Sequence, residues 1–504
     1  MGEKNVPDVA AVSQPVGIDT YAGKVHVEWD PQAAVTPLGQ LPFFISFLKV
    51  SGLYDEFIET CPLSYTSPNA PAKRDVLGTF LMSILAGHQR YSHITSIRFD
   101  SVNPDLLGMK KVISEDAARR ALKSLDEEAG IDWLDGRLHR STEAALSLGP
   151  WILDTDTTVK CLYGKQEGAV VGYNPLKKGR PSHNYHTCFM GSTRLALMVE
   201  VNHGNQHTAR QVTPALWRYY DGLDDNRKPV FIRGDLFIGN EGFLSEAEKR
   251  NALYLTKLRL TANVMRLITK LFRKADWVDA GHGFEGVESS LKLTGWSKAR
   301  RVVVLRRLID GTVDLPEEDP LQLQLPSFEA SDPVKRYEYS VLVTTLPHEV
   351  LSIAQLYRDR ADSENCFDEL KNQWGWGGYT TQDLKRCRLV SRLVAVVYNW
   401  WTLFVRLAQP RKHSEAITSR PLLLHGVARQ TMHAGQTTIT ITSNHAKSHI
   451  IQSALQALTW FLAQLKNTAE QLTVASRMRL ITRQAFRLFL DRISPTVPLL
   501  PAPG

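Results

Sequence analysis

The order of periodicities along the chain constrains its fold more than any single motif does. From Pro37 to about Leu148 apolar residues recur at helical spacing, as in LGQLPFFISFLKVSGLYDEFIE and KRDVLGTFLMSILAGHQRY. At Trp151 the texture changes. WILDTDTTVKCLYG alternates and is rich in β-branched residues, which predicts a strand. NYHTCFMG and RLALMVEVNHG predict two more, joined around Gly191. TARQVTPALWRYYDGL predicts a helix, and PVFIRGD a short strand ending at Asp235. Strand, strand, strand, helix, strand is the order of an α/β core built on a mixed sheet.

From about Thr261 to Leu346 the pattern is strand-like again, in SSLKLTGW, ARRVVVLRRLI and YEYSVLVTTL. An acidic, proline-rich loop, DLPEEDPLQLQLPSFEASDP, separates the last two. The expected organisation is therefore a flexible lead-in (1–33), a helical N-terminal DNA-binding domain (34–148), a core in two pieces (149–260 and 347–405), a β-rich insertion (261–346) and a basic, mostly helical C-terminal region (406–504). In the N-terminal part, a turn at Gly108 precedes a helix that opens at Ser114, a good N-cap, and carries Arg119, Arg120 and Lys123. That is the outline of a helix-turn-helix, though any three-helix packing domain has it too.

Composition excludes some classes. The chain has 504 residues, 43% hydrophobic and 22% charged, the balance of an ordinary soluble protein. No apolar run is long enough to span a bilayer, and the N-terminus lacks the apolar core of a signal peptide. Five scattered cysteines with no C-x-x-C pair fit a reducing, cytoplasmic setting better than a zinc site. The net charge of +8 is unevenly placed: from Leu384 onward there are sixteen Lys or Arg against three Asp or Glu. Such an asymmetry suggests a polyanionic partner, most simply nucleic acid.

The stretch YRDRADSENCFDELKNQWGWGGYTT, from Tyr357 to Thr381, is too charged for a core helix. At roughly 100° per residue, Tyr357, Arg360, Glu364 and Lys371 fall within an arc of about 60° on one helix. Gly375 reads as its stop signal. The bland interpretation is a solvated face with an Arg360–Glu364 ion pair. The sharper one is a carboxylate that holds a metal, flanked by cations that hold phosphates. Two more acids bear on the choice. Asp156 lies in the first strand of the core, and Asp235 ends its fourth. With Glu364 these carboxylates could converge, and hard divalent cations prefer such oxygen ligands.

Taken together, these residues make the chain resemble a DDE transposase of a bacterial insertion sequence, with an RNase H-like, retroviral-integrase-like catalytic fold. Tyr357, Arg360, Glu364 and Lys371 match the signature Y-x2-R-x3-E-x6-K of one large transposase group. Asp156-Thr157-Thr158 matches the context of its first acid, and IRGDLFIGNEGF that of its second. The resemblance implies that Asp156, Asp235 and Glu364 are catalytic and hold two Mg²⁺ ions, with Mn²⁺ able to stand in. It implies that Tyr357, Arg360 and Lys371 bind DNA, and that a homodimer acts on transposon ends and target DNA by cut-and-paste chemistry. Asp154 shares a strand face with Asp156 and is the alternative first ligand. Tyr337, Tyr339 and Trp296 are candidates for stacking on a flipped base, while Trp374 and Trp376 are expected to pack. The Arg-Gly-Asp tripeptide at 233–235 is read as coincidence.

Overall fold

Ten strands form one sheet, with the two expected aspartates near its middle. In chain order they are β1 (Ile152–Cys161), β2 (Val170–Val171), β3 (Pro181–Met190), β4 (Leu195–His203), β5 (Phe231–Gly234), β6 (Tyr254–Leu258), β7 (Val278–Gly281), β8 (Phe284–Leu291), β9 (Arg300–Leu308) and β10 (Tyr337–Thr344). The structure, a computed structural model, describes residues 15–493 apart from 310–332 and positions 173, 175–176, 192, 206–207, 380, 412 and 469–470. The acidic, proline-rich loop lies almost wholly outside the described residues, as does the proline-rich end.

Across the sheet the order is β7–β8–β9–β10–β6–β5–β1–β3–β2, with β4 also paired to β3. β1, β3 and β4 are antiparallel neighbours, whereas β1, β5 and β6 run parallel. A helix, α1 (Thr208–Asp221), makes the crossover from β4 to β5. The expected strands and helix of the core follow one another in that order, with the two-residue β2 added between the first and second. The β-rich segment extends that same sheet: β10 pairs with β6 from Val341↔Leu258 to Thr344↔Leu255, and β9, β8 and β7 follow antiparallel.

Three helices then return to the core: α2 (Val350–Arg358), α3 (Ala361–Asn372) and α4 (Leu384–Ala408). α4 is buried almost all round, as its apolar sequence requires. It lies between β4 and the N-terminal helices. Its Asn399 side chain pairs with both the N–H (2.8 Å) and the carbonyl (2.7 Å) of Ala196 on β4, which satisfies backbone groups that a sheet edge would leave open. Its buried Arg392 joins Asp135 of the helix Glu127–Leu146 to Glu200 of β4. Trp400 and Trp401 pack against Phe57 and Phe44 of the first helices.

The N-terminal part is helical over Leu41–Ser51, Leu53–Glu59, Lys73–Leu85, Glu115–Ser124 and Glu127–Leu146, and Ser114 caps its helix by accepting from the Ala117 N–H. Two hairpins add to the expected outline. Val16–Thr20 pairs with Gly23–Val27 within the lead-in, and Val427–His433 pairs with Gln436–Thr442 within the C-terminal region read as mostly helical. The second turns through Ala434 and Gly435, both at positive φ (48° and 78°), the geometry that matches strand twist in a two-residue turn. Trp374 and Trp376 are buried, as expected of packing residues. Among the described residues no helix is long and apolar enough to cross a membrane.

Candidate active site

Sheet register sets the surroundings of the two aspartates of β1. Both project from the same face, but their partners differ. Asp154 is buried, and both its oxygens are held by Arg233 of β5, at 2.6 and 2.8 Å. Arg233 is buried too. Its remaining N–H groups reach the carbonyls of Leu356 and, at 3.4 Å, Asp359. Arg233 is therefore a structural cation, and the Arg-Gly-Asp tripeptide presents no arginine to the surface. Both Asp154 oxygens are thereby engaged within the fold.

Arg233 also explains a departure from the expected single helix. α2 ends at Arg358 and α3 begins at Ala361. In an unbroken helix the Arg360 N–H would bond to the Leu356 carbonyl. Arg233 occupies that carbonyl, and the Arg360 N–H turns to Tyr357 instead, at 3.1 Å. The tight turn places Tyr357 at the end of one helix and Arg360 at the start of the next. Lys371 lies in the last turn of α3, about 10 Å along its axis from Glu364. It is not among the residues lining the cleft described next.

That cleft has a volume of about 340 Å³ and lies between α2, α3 and the strands β5, β6, β8, β9 and β10. Asp235, Tyr357, Arg360 and Glu364 line it. The Tyr357 hydroxyl donates to Asp235 Oδ1 at 3.4 Å. Burial, and next the Asp235 charge, push the phenol pKa up, so Tyr357 keeps its proton. Arg360 is buried and bridges two carboxylates: it donates to Asp156 Oδ2 and, at 2.6 Å, to Glu364 Oε1. Burial pushes the Asp156 carboxyl up to about 6 against the pull of Arg360 and of the Thr157 N–H, and the charges of Asp235 and Glu364 push the same way. Asp156 thus feels the charges of both other acids. The three do not yet form a coordination sphere: among the described residues no group of three His, Cys, Asp or Glu side chains stands close enough to hold one ion.

A model of the transposase DDE domain, group 1, matches residues 72–461, more than three quarters of the chain. The chain belongs to the DDE transposase family. Among solved structures it is similar to a piggyBac transposase in a synaptic complex with hairpin DNA, with 10% identity over 94% of this chain and 89% of that one and a TM-score of 0.41. No curated protein matches the chain.

In this transposase the sequence reading missed three contributors. Lys257, Ser340 and Arg358 also line the cleft. Lys257 and Ser340 were hidden in strand alternation, and Arg358 in a charged run. The Asp154–Arg233 pair was missed because its signal is two residues 79 positions apart, joined only by the parallel pairing of β1 with β5. The stacking candidates lie elsewhere. Trp296 is buried against Arg300, and Tyr337 lies 4.8 Å from the Arg306 guanidinium, facing the Arg306 side of β9.

Proposed function

We propose that this transposase is an insertion-sequence enzyme that binds the terminal inverted repeats of its element and moves it by cut-and-paste. Its catalytic core is RNase H-like: the order β4–β3–β1–β5–β6, with three antiparallel strands followed by two parallel ones, supports that reading. Asp156, Asp235 and Glu364 are the catalytic acids. The observation that carries this is Arg360, which touches Asp156 and Glu364 at once in the cleft that Asp235 lines.

These residues fit a pair of divalent cations by their chemistry. All are oxygen donors, they are coupled through charge, and a cation already stands between two of them. Asp156, Asp235 and Glu364 would hold Mg²⁺, or Mn²⁺ in its place. Such ions, when bound, activate a water or 3′ hydroxyl and stabilise the leaving oxygen of a phosphodiester. The chain's own side chains do the rest. Tyr357 orients Asp235 through its hydroxyl, and Arg233 fixes the turn from which Arg360 projects. Tyr357, Arg360 and Lys371 grip phosphates near the cleaved end. On the last helix, Val474–Ile493, exposed Arg479, Arg483 and Arg487 repeat every four residues and add a basic stripe for the DNA backbone. The enzyme works as a homodimer, one copy at each end, in the bacterial cytoplasm and on the nucleoid.

The test uses labelled duplexes carrying the inverted repeats that flank the gene. With Mg²⁺ the protein nicks at the repeat boundary and joins the 3′ ends to a target duplex. Nicking without joining would make it a nuclease only, and binding without nicking an inactive relative.

A further inference from the structure

Between β1 and β3 the chain leaves the sheet in an arm, Leu162 to Arg180, which holds the two residues of β2. It carries four Lys or Arg against one Glu. Tyr163, Lys165 and the run from Lys177 to Arg180 are exposed. Among the described residues none of the four cations forms an ion pair. The one acid, Glu167, is used within the fold: its Oε2 accepts from the Leu384 N–H at 3.0 Å.

The tip of the arm is built, not loose. The Arg180 N–H bonds to the Lys177 carbonyl at 3.2 Å, and Gly179 between them takes the left-handed φ of 72° that the third place of such a turn favours. A turn of this kind brings its first and last Cα atoms within about 7 Å. Buried Asn174 fastens it to the end of β1. Its side chain accepts from the Lys177 N–H at 3.0 Å, and donates to the Arg180 carbonyl at 3.4 Å and to Cys161 Sγ at 3.2 Å. Tyr163 then gathers the two corner cations. Its hydroxyl accepts from Lys177 Nζ at 2.7 Å, and the Arg180 guanidinium lies 4.8 Å from the centre of its ring. Two like charges mounted on one exposed ring repel each other. A phosphate set against them reverses that sign, with a fork from Arg and a point charge from Lys.

The arm also stands at a useful place. Lys160, near the end of β1, donates through Nζ to the Gly378 carbonyl, and the neighbouring Gly377 N–H bonds to the Lys371 carbonyl at 3.0 Å. The base of the arm is thereby fastened to the end of α3 that carries Lys371. From Asp156 to Tyr163 the chain reaches no more than about 25 Å at strand rise, the length of about seven base pairs.

We propose that Lys177 and Arg180, mounted on Tyr163, form a seat for the phosphate backbone of duplex DNA beyond the catalytic acids. This rests on the transposase reading above. The seat holds the duplex to one side of the cut, so that the scissile bond is positioned and not merely attracted.

The test is the salt dependence of binding to a fluorescein-labelled duplex of the flanking repeat, read by anisotropy without divalent ions. Each duplex phosphate contact contributes about 0.9 to the slope of log affinity against log salt. The double variant K177Q/R180Q should lower that slope by about 1.8, while K177R/R180K keeps it near wild type. K249Q/K298Q removes the same charge from two exposed lysines that pair with Glu246 and Glu248, and should leave the slope in place. An unchanged slope in K177Q/R180Q overturns the seat, and so does an equal fall in either of the other two variants. Failure of the transposase reading would show separately, as wild-type protein that never cuts DNA.

Discussion

Arg233 grips both carboxylate oxygens of Asp154 within the sheet, and both side chains are buried. Removing one partner strands the other as a buried charge. Arg233→Met should therefore cost roughly 3–5 kcal/mol, read as a lower midpoint in urea unfolding. Asp154→Asn should also destabilise. If Asp154→Asn folds normally and stops DNA cutting outright, the roles assigned to the two β1 aspartates are reversed.

Asp156→Ala, Asp235→Ala and Glu364→Ala should each reduce Mg²⁺-dependent nicking by on the order of 10³ or more, since ion-borne stabilisation is worth several kcal/mol. Binding to end DNA should persist in gel shifts. Cutting at the wild-type rate by any of the three removes that residue from the site.

Arg360 neutralises two of the carboxylates from within the protein. It must compete with any cation that they bind. Arg360→Gln should tighten Mn²⁺ binding, by about fivefold to tenfold on a charge-pair scale of 1–1.4 kcal/mol. Titration followed by electron paramagnetic resonance of free Mn²⁺ measures it. Weaker binding in the variant would mean that Arg360 shapes the ion site instead of opposing it.

Glu248 offers a pH signature. Burial alone would raise its pKa, but hydrogen bonds from Arg300, Tyr254 and Lys298 outweigh it and hold the carboxyl down at about 2. A depressed carboxylate stabilises the fold above its unfolded value near 4.5, and that contribution is lost as pH falls toward 2. Discounted for solvent screening at this partly exposed site, the amount is on the order of 1 kcal/mol. Arg300→Met should abolish most of it, flattening the acid limb of a stability-against-pH curve between about 4.5 and 2. A curve parallel to wild type through that range would contradict this.

The basic stripe on the final helix is testable with duplex DNA. Changing Arg479, Arg483 and Arg487 together to Gln should lower the salt slope by about 2.7, at roughly 0.9 per phosphate contact. An unchanged slope would return those side chains to the role of a solvated face.

Much of this was legible in the sequence because it was local. The alternation of WILDTDTTVK marks a strand, and Ser114 followed by two acids marks a helix start. The spacing of Tyr357, Arg360, Glu364 and Lys371 drew attention to the segment that lines the cleft. What stayed hidden was non-local. The break between Arg358 and Ala361 depends on a guanidinium more than a hundred residues upstream, which takes the carbonyl an unbroken helix needs. Sequence periodicity continues straight through it. Likewise, nothing in YLTKL distinguishes Lys257 from any outward strand residue until the fold sets it at the cleft with Asp235. The C-terminal hairpin is the opposite case. Its alternating Thr and Ile and its Ala434-Gly435 turn were there to be read.

The clamp made by Arg233 has one more consequence. It ties the strand that leads into Asp235 to the helix break that precedes Glu364, so loosening either one uncovers a charge from the interior. On the proposed assignment of Asp235 and Glu364, opening this clamp would part the acids while the rest of the fold still stood. For a member of a transposase family, damage at that clamp would then end in silence and not in stray cutting.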